Sequence, residues 1–89
     1  MAETTITIIH EVGLHARPAA LFVQRAKQFT SDIRVKFGET VANAKSIMSI
    51  LTLGVNQGGV ITIYAQGEDE DKAIAGLIEL VENNFQESR

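Results

Sequence analysis

Apolar and polar residues change their spacing along this chain, and the changes mark out seven elements. Thr5 to Ile9 alternates threonine with isoleucine before a second isoleucine, a period of two that predicts a half-buried first strand. From Ala16 onward the period becomes helical. Ala19, Phe22, Val23, Ala26 and Phe29 recur on one side, with Gln24, Arg25, Lys27 and Gln28 largely on the other, which predicts an amphipathic helix of about three turns. Ile33, Val35 and Phe37 then alternate with Arg34 and Lys36, and Gly38-Glu39 supplies a turn into a short return strand over Thr40 to Ala44.

The segment Ser46 to Leu53 carries Ile47, Ile50 and Leu51 at helical spacing and stops at Gly54, a favoured residue just past a helix end, so a brief second helix is expected. Gly58-Gly59 breaks the chain before Val60 to Ala65, which is rich in β-branched residues and reads as the last strand. Gly67 precedes an acidic first turn at Glu68, Asp69, Glu70 and Asp71, and Ile74, Leu77, Ile78, Val81 and Phe85 form the apolar stripe of a final helix. The order is β-α-β-β-α-β-α. Strands that cannot all be parallel argue for an α+β open-faced β-sandwich, a four-stranded antiparallel sheet with three helices on one face.

The 89 residues suffice for one domain, 1–89, with a modest core. No repeat, low-complexity tract or linker interrupts it. With 45% apolar and 21% charged residues spread along the chain, the composition is that of a compact globule. A formal charge of −3 disfavours nucleic acid and anionic lipid as partners. Cysteine is absent, which excludes a disulfide framework, a thiolate nucleophile and a cysteine-based zinc site. Met1 to Thr5 lacks the basic and apolar regions of a secretory leader, and no apolar run approaches membrane-spanning length. A cytoplasmic protein with no membrane insertion is the expectation.

One segment exceeds what structure alone requires: Gly13-Leu14-His15-Ala16-Arg17-Pro18-Ala19-Ala20, where the first strand gives way to the first helix. Pro18 lacks an amide hydrogen, but in a first turn that donor has no intrahelical acceptor, so the proline places the helix start within a residue or two of His15. A helix start offers free amides and partial positive charge, and both favour a bound dianion. Arg17, always cationic and a multiple donor, stands ready to neutralise charge on a phosphoryl group arriving at or leaving His15. A phosphorylated imidazole has a labile P–N bond and passes its group on reversibly, so histidine suits a carrier where serine would retain the group. By residue type alone His15 also reads as a cap or a solvated turn residue.

The Gly13 to Ala20 segment resembles the active-site signature of HPr, the histidine-containing phosphocarrier family of the bacterial phosphoenolpyruvate:sugar phosphotransferase system. The resemblance extends to Ala44-Lys45-Ser46-Ile47-Met48, Leu53-Gly54 and Gly67-Glu68-Asp69-Glu70, and so spans essentially the whole chain in order and spacing. It implies the same fold. It also implies that His15 accepts a phosphoryl group through Nδ1 from phospho-enzyme I and delivers it to sugar-specific enzyme II A components, with phosphoenolpyruvate as ultimate donor and no turnover by the carrier alone. Arg17 would stabilise the phosphate, and the amides of Ala16 and Arg17 would complete its cradle.

Ser46 at the start of a short helix is a common cap and needs no further purpose. In the Gram-positive type of this family, however, the serine in this motif is phosphorylated by an ATP-dependent HPr kinase/phosphorylase, and Ser46-Ile47-Met48 is similar to that version. Ser49, where many relatives have glycine, departs from it. Around the two sites an exposed apolar patch of Leu14, Ala20, Ile47, Met48 and Leu51, rimmed by Arg17, Gln24 and Lys27, is expected to dock partners, as the resemblance implies; a flexible Met48 suits a surface that fits several in turn.

Other signals fail. Ala44-Lys45-Ser46 ends like a phosphate-binding loop, but the glycines that motif needs at Glu39 and Ala44 are missing. His10 and His15 lack metal-binding spacing, and Glu68 to Asp71 reads as a helix start rather than a calcium loop, so no metal and no cofactor are expected. The serines lack a nucleophile elbow. Three functional readings stand: a sugar-system phosphocarrier, a regulatory module acting through phosphorylated Ser46 on a transcriptional regulator, and a nitrogen-branch phosphocarrier.

Overall fold

The computed structural model describes residues 1–85. Its strands are β1 (Ala2–Thr7), β2 (Asp32–Phe37), β3 (Thr40–Asn43) and β4 (Val60–Gln66), and its helices are α1 (Ala16–Ala26), α2 (Ile47–Leu53) and α3 (Glu70–Glu82). The strands form one sheet in the order β1-β4-β2-β3, every neighbouring pair antiparallel. Alternation decides the layering: Ile33, Val35, Ala42, Ile61, Ile63 and Ala65 are buried while the intervening residues face outward, so one face carries the core and the helices, and the other is open. The predicted α+β open-faced sandwich is the fold observed. Among the described residues no helix is long and apolar enough to cross a membrane.

Three boundaries differ from the sequence expectation. The first strand was expected over Thr5 to Ile9 but runs Ala2–Thr7, because its partner sets the register: Ala2 faces Ala65, and Thr7 faces Val60, where β4 begins after Gly58-Gly59. Ile8 is buried beyond the strand end, tied by its amide to Gly59 O at 2.8 Å. Phe29 lies past the end of α1 yet packs on α3, where a Cβ at Gly76 would stand 2.8 Å from the Phe29 ring. The buried face of α3 differs from the expected stripe. Its buried residues are Ala73, Leu77, Leu80 and Val81, so Leu80 joins the core while Ile78 is only half-buried, and Phe85 is buried just beyond the helix.

Asp69, at the N-cap of α3, makes no cap bond to its own helix; its carboxylate instead accepts from the amides of Thr30 and Ser31, each at 2.9 Å, and from the Ser31 hydroxyl. These donors, the Ser31 hydroxyl foremost, hold its carboxyl down at about 2 against 3.8 when unperturbed. A carboxyl depressed on folding stabilises the fold fully above its unfolded value of 3.8, and that contribution disappears as the pH falls through about 2. Asp69→Asn is therefore expected to lower stability at neutral pH and to converge with the wild type near pH 2. Denaturant unfolding at the two pH values measures this; a stability gap unchanged in acid would contradict it.

Candidate functional site

Gly13 builds the site's foundation. Its φ is +76°, and a Cβ there would lie 2.3 Å from Val55 O and 2.7 Å from Asn56 Cα, so the loop after β1 lies directly on the loop after α2. The next amide, Leu14 N–H, donates to Val55 O at 2.9 Å. With the backbone turned this way the Leu14 side chain enters the core and is fully buried. Leu14 is thus no part of an exposed docking patch, which corrects the sequence expectation; a continuous apolar period could not show that the preceding turn points this residue inward.

His15 follows as the N-cap of α1, with extended backbone (φ −125°, ψ 159°) and no side-chain cap bond. Its half-buried ring is held instead by Asn56: His15 Nε2–H donates to Asn56 Oδ1 at 3.3 Å. A carbonyl oxygen only accepts, so the neutral ring keeps its proton on Nε2 and leaves the lone pair on Nδ1. Asn56 was missed by sequence reasoning. It lies 41 positions away in a turn-forming Val-Asn-Gln-Gly-Gly stretch, and nothing local signals its contact with His15.

Ala16, the first residue of α1, has φ +49°, a left-handed conformation that costs a non-glycine residue roughly 1–3 kcal/mol. Buried Leu14 before it and buried Pro18 after it hold the chain on this path. The amides of Ala16 and Arg17, as first residues of a helix, have no intrahelical acceptor. The Arg17 side chain is exposed and makes no ion pair among the described residues. Beside it opens a groove of about 610 Å³, lined by His10 to Val12, by Arg17 and Leu21 of α1, and by Phe85 past α3.

The rest of the expected patch is divided. Met48 is 67% exposed and Ile47 37% exposed, and both lie on α2, which packs against α1. Gln24 on α1 and Lys27 just past its end are exposed, whereas Ala20 and Leu51 are half-buried, Leu51 packing against the core. Ser46 caps α2, its hydroxyl accepting from the Ser49 amide at 3.3 Å, and Gly54 closes the same helix in the left-handed conformation at φ +66°. Ser46 and Asn56 flank opposite ends of α2. At 1.5 Å per residue its seven residues put roughly 10 Å between Ser46 and the end where His15 sits.

This is a small sheet-and-helix domain that presents, at one helix start, an imidazole and a guanidinium that makes no ion pair among the described residues. Comparison with known proteins makes this specific. Residues 2–83 match the family described as the PTS HPr component phosphorylation site. The structure is similar to that of HPr-C-His from Thermoanaerobacter tengcongensis, at 52% identity over 100% of both chains with a TM-score of 0.95. It is also similar to phosphocarrier protein HPr from Bacillus anthracis str. Ames, at 40% identity over 90% of this chain and 95% of that one (TM-score 0.87), and to Crh, the Bacillus subtilis catabolite repression HPr, at 44% identity over 90% and 95% (TM-score 0.64). The chain belongs to the HPr family of phosphocarriers of the phosphotransferase system.

Proposed function

We propose that the chain carries phosphoryl groups on His15 in a sugar phosphotransferase system, charged by phospho-enzyme I and discharged to enzyme II A components. The observation that carries this reading is the His15 to Asn56 hydrogen bond, which fixes the ring and leaves its Nδ1 lone pair for phosphorus. In the transfer, Nδ1 forms a bond to phosphorus as the bond from phosphorus to the donor's leaving atom breaks; the reverse displacement by an acceptor restores the lone pair. Arg17 neutralises charge on the phosphoryl oxygens, and the amides of Ala16 and Arg17 are placed to donate to them. The strained backbone at Ala16 is of the kind that accumulates at such centres. Exposed Ile47 and Met48, with Ala20, Gln24, Lys27 and Leu51 around them, form the docking surface, and the work belongs to the cytoplasm.

The test is incubation with phosphoenolpyruvate and enzyme I, followed by acid treatment and mass spectrometry. Acid-labile phosphate on His15 is expected. Charging only by a nitrogen-branch enzyme I paralogue would move the chain to that branch. Absence of label, with ATP and a kinase modifying Ser46 instead, would make it a regulatory module.

A regulatory reading is superimposed on the first, favoured by Ser46 at a helix start and by the likeness to Crh, a catabolite repression HPr. In it HPr kinase/phosphorylase modifies Ser46, and the product slows sugar transfer and contacts a transcriptional regulator. A phosphate there adds a charge of about −1.5 to −2. With about a Debye length between Ser46 and the end of α2 where His15 sits, that charge acts chiefly on a partner docked over α2 and is attenuated at the imidazole. Ser46→Asp, which keeps a capping acceptor, should slow transfer from enzyme I roughly tenfold while leaving chemical phosphorylation of His15 by phosphoramidate unchanged. Equal slowing of both reactions would show that the charge reaches His15 itself.

A further inference from the structure

His10 lies outside the carrier chemistry, yet its side chain makes two contacts that meet at the edge of the site. Its Nδ1 accepts from the Val12 amide at 3.1 Å, closing the kind of turn that Asn or Asp makes with the residue two positions on. Its ring stands edge-on to Phe85, with centroids 5.8 Å apart and planes at 80°, which ties the turn to the end of α3. The backbone adds a second hydrogen bond, Gly13 N–H to His10 O at 2.9 Å, at the glycine that seats the loop on Val55 and Asn56.

Among the described residues these contacts are what anchor this stretch. Residues His10 to Val12 lie beyond the last pair of the β1–β4 ladder and before the Leu14 anchor, and Glu11 and Val12 are exposed. They line the groove that Arg17 also lines, so their placement sets the width of the approach to the helix start.

We infer that His10 is a positioning residue for phosphoryl transfer: by accepting the Val12 amide it holds the His10 to Gly13 turn as the edge of the groove beside Arg17, at the helix start that His15 precedes. The inference rests on His15 as the residue that carries the phosphate. The two contacts separate by substitution. His10→Asn keeps an acceptor for the Val12 amide but loses the ring, His10→Phe keeps the ring on Phe85 but has no acceptor, and His10→Ala loses both.

The experiment measures the rate of His15 phosphorylation in the full chain, by phosphoramidate and by phosphoenolpyruvate with enzyme I, alongside exchange of the Val12 amide hydrogen and thermal unfolding. His10→Ala and His10→Phe are expected to slow phosphorylation by both donors, roughly tenfold for His10→Ala, and to speed Val12 exchange, while His10→Asn stays within about twofold of the wild type in both. Rates that follow the loss of unfolding temperature, with His10→Asn as slow as His10→Ala, would overturn the positioning role in favour of packing on Phe85. Val12 exchange unchanged in His10→Ala would overturn it whichever residue carries the phosphate. Wild-type phosphate found elsewhere than His15 would count against the carrier assignment alone.

Discussion

His15→Ala is expected to abolish phosphoryl acceptance and to leave the fold standing. The backbone at His15 is extended, a conformation any residue adopts, and the side chain neither caps α1 nor enters the core. Its bond to Asn56 lies at the surface, where losing one hydrogen bond costs about 1 kcal/mol and lowers the unfolding temperature of a domain this size by roughly 4–8 °C. The chemistry has no substitute: Ala supplies no lone pair, and His10 Nδ1 is already occupied by the Val12 amide. Phosphorylation with enzyme I and phosphoenolpyruvate, read by mass spectrometry, should fall below detection while calorimetry shows a cooperative transition. Acid-labile phosphate persisting in the variant would place the carrier function on another residue.

Gly13→Ala should have the largest effect on stability of any single methyl group near the site. The added carbon meets backbone atoms, Val55 O and Asn56 Cα, rather than the yielding end of a side chain, and φ of +76° is itself unfavourable for alanine. The two loops can separate only by breaking the Leu14 to Val55 bond and drawing Leu14 out of the core. A loss on the order of 3 kcal/mol follows, about 15 °C in unfolding temperature. Because Asn56 belongs to the displaced loop, the remaining folded protein should also phosphorylate more slowly. Unfolding within 1 kcal/mol of the wild type (about 5 °C) would show that the loops are not locked together as their geometry indicates.

Where cause and consequence lie close along the chain, the sequence was explicit. Ser46 and Gly54 bound α2 because caps act on amides and carbonyls within one turn, and both ends were read correctly from residue type. His15, Arg17 and Pro18 were legible for the same reason: a helix start gathers its chemistry from consecutive residues. The inward alternation of β2 was equally local, and β4 was legible from its β-branched residues. By contrast, β1 was placed three residues late, since a strand of alternating Thr and Ile pairs wherever its neighbour offers partners.

Sequence by itself determined the element order, the fold class and the presence of an imidazole and a guanidinium at the first helix start. Tertiary structure alone decided which nitrogen of His15 is free, because the deciding partner, Asn56, arrives from 41 residues away. It also buried Leu14, expected at the surface, and joined His10 to Phe85 across the whole length of the chain. Periodicity reports which way a side chain faces within a regular element, but in a loop that direction is set by contacts between distant segments, and those exist only once the sheet and helices have closed.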